Sequence, residues 1–180
     1  MEPWLRFFGW WITEGSVGKA GQTNNVRIYQ TGAENLGELF SNIGFERGKI
    51  RHHETSNAEY IEVSDHQLAS HLRRFKDERF VPEWMRNLPR DRLQTLFDSL
   101  IAGDGTRNGR GWTFYTSSPK LADNVQEIAL KLGYSGIVSS LDRSDGDGYQ
   151  QNPEYRVNIS PTWCVQANQQ KGAFGREQYD

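Results

Sequence analysis

Two short stretches of this sequence hold a carboxylate in the same setting. FFGWWITEGS (7–16) runs through apolar residues to Glu14-Gly15, and FDSLIAGDGT (97–106) runs to Asp104-Gly105. The two decapeptides align without gaps. Each carries an early small residue (Gly9, Ser99), a second one four positions on (Thr13, Gly103), and then acid-Gly. Small residues four apart share one face of a helix and let two helix backbones approach closely. If two such helices pack in parallel, Glu14 and Asp104 meet at their common C-terminal end. Two adjacent carboxylates repel, and both oppose the negative end of a helix dipole, so one must take up a proton or both must hold a cation. A hard divalent cation, Mg2+ or Mn2+, suits carboxylate and water oxygens. The plainer alternative is that each acid-Gly pair merely ends a helix, with Gly in the left-handed conformation. Two matched copies favour the convergent pair.

Composition sets the outer limits. The 180 residues suffice for one sizeable core or two small fused ones. Hydrophobic content of 36% with six Trp excludes a disordered chain. No apolar run approaches a membrane span, and no signal-peptide pattern opens the chain, so no membrane partner is expected. The single cysteine, Cys164, allows no internal disulfide and fits a reducing compartment, so an intracellular location, cytoplasmic or nucleoid-associated, is expected. His52, His53, His66 and His71 offer no zinc-ligand spacing. A net charge of −2 tells against a generic polyanion binder. Any nucleic-acid contact must rest on local charge.

The rest of each half repeats as well. After the first acid come NNVRIYQT (24–31) and ENLGELFSNIGF (34–45); after the second come GWTFYTSS (111–118) and NVQEIALKLGY (124–134). Spacing of three and four predicts amphipathic helices, each closed by Gly (Gly44, Gly133). Thr31 with Glu34 forms a capping box for the first, and Ser118-Pro119 starts the second. Strand-like runs follow at 46–53 and 58–63, then at 135–142 and 153–160. A further helix over 65–75 opens with SDHQ, another capping-box pattern. The order helix-strand-strand-helix-strand-strand, twice, predicts an α+β chain of two pseudo-symmetric αββαββ repeats. The expected segments are 1–75 (first repeat), 76–92 (connector), 93–160 (second repeat) and 161–180 (a strand and a flexible end). In the connector, VPEWM is expected to pack. The polar run 142–154 reads as a hairpin loop.

The paired FFGWWITEG and FDSLIAGDG resemble the two signature helices of LAGLIDADG homing endonucleases in their single-chain, double-motif form. RFVPEWM resembles the basic-x-x-Pro stretch before the second motif of intein-type members, and TSSPKLAD with LGY is similar to their second half. The resemblance covers about residues 3 to 160. It implies two antiparallel sheets forming a saddle over duplex DNA. It also implies a monomer that recognises a long, near-asymmetric site and hydrolyses one phosphodiester per strand across the minor groove, leaving short 3′ overhangs. Glu14 and Asp104 match the metal-binding positions, and Arg79 matches the basic catalytic position near the connector proline. Glu14 stands where Asp is usual, Ser99 where Gly is usual, and Arg79 where Lys is common. An arginine stabilises charge but hardly ever gives up its proton. The alternative is a catalytically weak or inactive DNA-binding regulator or RNA maturase of the same fold. The endonuclease insert of an intein differs from a free enzyme only in its flanking sequence.

Strand alternation tests the DNA face independently. Val26 and Ile28 point one way, and Asn25, Arg27 and Tyr29 the other. Arg47, Lys49, Arg51 and His53 share a face, as do Thr113 and Tyr115, and Arg156, Asn158 and Ser160. The candidate DNA contacts are therefore Arg27, Tyr29, Arg47, Lys49, Arg51, Thr113, Tyr115, Arg156 and Asn158, types that touch phosphates and base edges. An ordinary solvated sheet face is the plainer alternative. The acids are expected on the outer helices at Glu34, Glu38, Asp123 and Glu127. Trp4, Phe7, Phe8, Trp10 and Trp11 are expected to pack, His66 and His71 to lie on a helix surface, and Cys164 to be a small buried residue.

Overall fold

In the computed structural model the described residues are 1–30, 36–45, 48–52, 59–141 and 153–161. Helix α1 (Glu2–Glu14) leads directly into β1 (Gly15–Val17), followed by β2 (Asn25–Tyr29), α2 (Gly37–Asn42), β3 (Lys49–His52), β4 (Glu59–Ser64) and α3 (His66–Leu72). A 3-10 turn (Arg73–Phe75) and the short α4 (Glu83–Arg86) lie before the second repeat. That repeat comprises α5 (Arg90–Asp104), β5 (Gly105–Asn108), β6 (Gly111–Thr116), α6 (Pro119–Lys131), β7 (Ser135–Leu141) and β8 (Glu154–Ser160).

Each half forms one four-stranded antiparallel sheet, and the strand orders β1-β2-β4-β3 and β5-β6-β8-β7 are equivalent. The registers match too: Gly15 pairs with Ile28 and Gly105 with Phe114. Arg27 and Thr113 therefore occupy equivalent places, as do Tyr29 and Tyr115. The expected doubled αββαββ order is the observed one.

The core lies between the sheets' inner faces and the helices. Val26, Ile28, Ile61, Phe114, Val157 and Ile159 are buried from the strands, as alternation requires. Along α1, Leu5, Phe8 and Ile12 recur at three and four, with Phe7 and Trp11 beside them, and all five are buried. Trp4 and Trp10 are half-buried against the same core. Phe7 meets Phe40 of α2 at 5.2 Å between ring centroids. On α6, Leu121, Ala122, Val125, Ile128 and Ala129 form the buried stripe. The Ser118 hydroxyl caps that helix by accepting from the Leu121 N–H at 3.1 Å. Gly133 ends the α6 turn at φ 85°, a left-handed conformation that favours glycine. Among the described residues, no helix is long and apolar enough to cross a membrane.

Several local expectations need correction. The cap of α3 is Asp65, whose carboxylate accepts from the Leu68 N–H at 2.7 Å, and Ser64 remains in β4 paired with Asn25. Helix α5 begins at Arg90, inside the expected connector, with Pro89 at its N-cap position. His71 is half-buried, its ring 5.5 Å from Trp4 and 5.7 Å from Phe75; burial, with Arg74 nearby, lowers its pKa. In the connector Val81 and Met85 are buried as expected, whereas Trp84 is exposed. The Thr31/Glu34 capping box, Arg47, His53, the 142–152 loop, Cys164 and the tail fall outside the described residues.

Candidate active site and nucleic-acid interface

Helices α1 and α5 pack directly on their small residues. A Cβ added at Gly9 would lie 2.5 Å from the Ser99 Cβ, and one added at Gly103 would lie 2.8 Å from the Thr13 Cβ. Gly9 faces Ser99 and Thr13 faces Gly103, four residues further along both helices, so the helices run parallel. The Thr13 hydroxyl is turned back onto its own helix, its one proton shared between the carbonyls of Gly9 and Trp10 at 3.1 and 3.0 Å. The Ser99 hydroxyl does the same with Thr95 at 2.9 Å. All four interface residues expected from sequence are in contact.

Parallel packing brings Glu14 and Asp104 to one end. The glycines after them are not left-handed caps: Gly15 has φ −98°, ψ 160°, and Gly105 has φ −100°, ψ 143°. Both are extended and start strands, so the plainer alternative for acid-Gly fails. They are small because the helix-to-strand corner leaves no room. A Cβ on Gly105 would meet the Ile101 carbonyl oxygen at 2.5 Å, and one on Gly15 would overlap Trp11.

The two carboxyls are half-buried and interacting. Desolvation is the main cause that raises the pKa of Glu14, and the Asp104 charge raises it further while Arg79 opposes. Asp104 is also raised by desolvation, with Arg79 again opposing. Arg79 is held by α1 itself. Its guanidinium donates to the carbonyls of Ile12 at 2.6 Å, of Gly15 at 3.0 Å, and of Thr13. It thus satisfies the orphan carbonyls of the helix end and offsets the dipole that Glu14 opposes. The Arg79 backbone carbonyl accepts from the Ser118 hydroxyl at 2.7 Å, and Val81 N–H donates to buried Asn124 at 2.8 Å. The connector is therefore fixed to both repeats at the acid pair. Replacing Arg79 by Met is expected to lower stability by about 2–3 kcal/mol in denaturant unfolding, because hydrogen bonds to a charged group are worth roughly 1.5–3 kcal/mol. Lys at 79 is expected to restore only part, since an ammonium cannot fork across several carbonyls. Full stability of Arg79→Met would contradict the capping role.

The donor set fits a divalent cation. Two hard oxygen ligands converge in a desolvated place that penalises their negative charge. Among the described residues, no group of three or more His, Cys, Asp or Glu side chains forms a complete cage. Mg2+ suits such a place, being commonly held by one or two carboxylates with waters and substrate phosphates. The raised pKa values also fix a pH dependence. In acid, below the ordinary values of 3.8 for Asp104 and 4.5 for Glu14, both groups are neutral whether folded or unfolded, and their contribution to stability is fully present. It is lost as pH rises through the raised folded values. In a chelator, the melting temperature of wild type is expected to fall relative to Asp104→Asn as pH rises above the ordinary carboxylate values, and added Mg2+ should close the gap. Parallel curves would contradict the desolvation that raises the Asp104 pKa.

The outer faces of the two sheets carry the candidate DNA contacts. Arg27, Glu62 and Lys49 form one cross-strand row, and Tyr29, Tyr60 and Arg51 the next. Arg27 donates to Glu62 at 2.6 Å and lies over the Tyr60 ring at 5.3 Å; Tyr29 stacks on Tyr60 at 5.3 Å. Lys49 and Arg51 are exposed and make no ion pair among the described residues. In the second sheet Arg156 pairs with Glu154 at 2.7 Å and lies over Tyr115 at 5.7 Å. Asn158 is exposed, but Thr113 is buried and sits between Asn108 and Asn158. The expectation that acids keep to the outer helices holds for exposed Glu38 and Asp123, and for Glu127, which pairs with Lys131 at 2.6 Å and with Arg86. It fails for Glu62 and Glu154, which hold the face arginines in place. Sequence reading misses Tyr60 and Glu62. Alternation about buried Ile61 was the available signal.

Comparison with known proteins places this architecture. No protein-family model matches the chain. The crystal structure of I-DmoI in complex with DNA and Mn superposes with a TM-score of 0.63 at 15% identity, over 88% of this chain and 89% of that one. The N-terminal LAGLIDADG domain of WhiA superposes with a TM-score of 0.57 at 6% identity, over 87% of this chain and 74% of that one. The chain has the LAGLIDADG fold. Among curated proteins, similarity extends to an ATP-dependent Clp protease proteolytic subunit of Chlamydomonas moewusii, 24% identical over 94% of this chain and 18% of that protein. It extends also to the ATP-dependent DNA helicase Hel308 of Thermococcus kodakarensis, 29% identical over 86% of this chain and 15% of that protein. The chain spans less than a fifth of the length of these relatives. In this fold α1 and α5 are the helices whose sequences resemble the LAGLIDADG signature, and Glu14 and Asp104 end them.

Proposed function

We propose that this chain is a site-specific, double-strand DNA endonuclease, acting as a monomer, that hydrolyses one phosphodiester per strand with Mg2+ or Mn2+ and leaves short 3′ overhangs. The observation that carries the reading is the convergence of Glu14 and Asp104 at the ends of two packed parallel helices, each continuing into a sheet with a polar outer face. The pair is unfavourable for folding, and a protein that only bound DNA would gain nothing from it beside a polyanion. A divalent cation held by these two carboxylates would supply positive charge to polarise a phosphate and activate water. Glu14 and Asp104 hold it, Arg79 keeps the α1 end in position, and Lys49, Arg51 and their neighbours engage the duplex. I-DmoI, named a homing endonuclease, has been crystallised with DNA and Mn, which supports the same partner and cofactor class here.

The matched proteins are a protease subunit, a helicase and a section of an RNA polymerase subunit, each similar over no more than 18% of its length. A segment common to proteins with such different activities does not carry those activities. That pattern supports a mobile insert of the intein or intron kind. A second reading, a weak or inactive DNA-binding regulator or RNA maturase, is favoured by Arg79. Its guanidinium is engaged with backbone carbonyls and is a poor proton carrier.

Selection of bound sites from a randomised duplex pool tests DNA recognition. On the selected duplex, affinity is expected to fall steeply with salt, and Lys49→Ala or Arg51→Ala should each reduce the slope by about one. Arg6→Ala, at the far end of α1, should leave it unchanged. No enriched sequence, or equal slopes for all variants, would place binding elsewhere.

A further inference from the structure

We propose that Ile137 and Asn158 together read a thymine edge, with Thr113 holding the Asn158 amide in the orientation this requires. The inference rests on the DNA-binding reading above. Thr106, Thr113, Asn158 and Ile137 form one cross-strand row of the second sheet. The row lies on the outer face. Val157 and Ile159, flanking Asn158, are buried toward the helices, and Gly136 approaches Gln126 of α6, so Ile137 points the other way. Ile137 is 62% exposed. A single exposed aliphatic residue is ordinary, and its neighbours give this one meaning.

Asn108 Nδ2 donates to the Thr113 hydroxyl at 3.2 Å, and that hydroxyl donates to Asn158 Oδ1 at 3.0 Å. Thr113 is only 5% exposed, so water does not compete freely for it. A hydroxyl has one proton, and this one is directed at Asn158. The amide oxygen therefore faces Thr113 on β6, and Nδ2 is left as the free donor of Asn158, whose other neighbour in the sheet is Ile137 on β7. The site offers a donor beside an aliphatic surface. In the major groove, thymine alone places an acceptor, O4, beside a methyl group. Adenine asks the amide for a donor and an acceptor together, cytosine offers a donor, and guanine has no methyl. The class of ligand is thus a 5-methyl pyrimidine with an O4 acceptor.

The test uses the full chain and its selected duplex in Ca2+, with each thymine replaced in turn by uracil, which removes only the methyl. At one position the wild type is expected to lose about fourfold in affinity, the worth of one buried methyl-sized group. Ile137→Ala should bind the thymine and uracil duplexes equally. At that position Thr113→Val, with an unchanged melting temperature, should lose most of the preference for T·A over A·T, and Thr113→Ser should regain it. A flat uracil scan, a methyl effect that persists in Ile137→Ala, or undiminished discrimination by Thr113→Val would each overturn the inference while leaving DNA recognition standing. Failure to select any duplex would overturn both.

Discussion

Glu14→Gln or Asp104→Asn is expected to abolish double-strand cleavage, with a loss of roughly a hundred- to ten-thousand-fold, since a catalytic cation contributes several kcal/mol and each 1.36 kcal/mol is tenfold in rate. Both changes keep size and shape and remove one negative charge. Folding should survive, because desolvation raises both pKa values and the charged pair is unfavourable to the folded chain. Binding should largely survive too, since the candidate contacts lie on the sheet faces. Cleavage of a supercoiled plasmid carrying the selected site, with Mg2+, is the readout. If either variant cut both strands at near wild-type rate, the carboxylates would not be the metal ligands.

The second large effect concerns the helix interface. Gly9→Leu or Gly103→Leu is expected to destabilise the whole chain. Even the first added carbon would stand 2.5 Å from the Ser99 Cβ or 2.8 Å from the Thr13 Cβ, closer than carbon atoms pack. Neither obstacle is the free end of a flexible side chain, so the helices must separate. Overpacking costs about 1–3 kcal/mol, and a chain of this size loses roughly 2–4 °C in melting temperature for each kcal/mol. Separation of the helices would also move the acids apart, so metal-induced stabilisation should shrink in parallel. Unchanged melting temperatures for both variants would contradict the close packing.

Much of this architecture was legible because its signals are periodic and occur twice. Small residues four apart gave the helix contact, and strand alternation gave the buried and open faces of β2, β6 and β8. What could not be read is set by contacts between distant segments. The Arg79 clamp joins residues more than sixty positions apart, so its role as a helix cap leaves no local pattern. Glu62 against Arg27 depends on strand register. Thr113 looks like an outward polar residue by alternation and is buried in the structure, hydrogen-bonded between Asn108 and Asn158. For Gly15 and Gly105, left-handed caps were the plainer alternative, since glycine often serves that way after a helix. The actual reason is crowding at a helix-to-strand corner, visible only once both elements are in place. Asp65 displaced Ser64 as the cap because Ser64 is taken up by β4.

The most direct test of the acid pair as a DNA-cutting centre is to incubate the chain with a randomised duplex pool and Mg2+, then sequence the ends produced. Wild type is expected to enrich one sequence carrying paired breaks with short 3′ overhangs, and Asp104→Asn treated identically should enrich none. A pool with no enriched ends, or the same ends from Asp104→Asn, would contradict metal-dependent cleavage by Glu14 and Asp104.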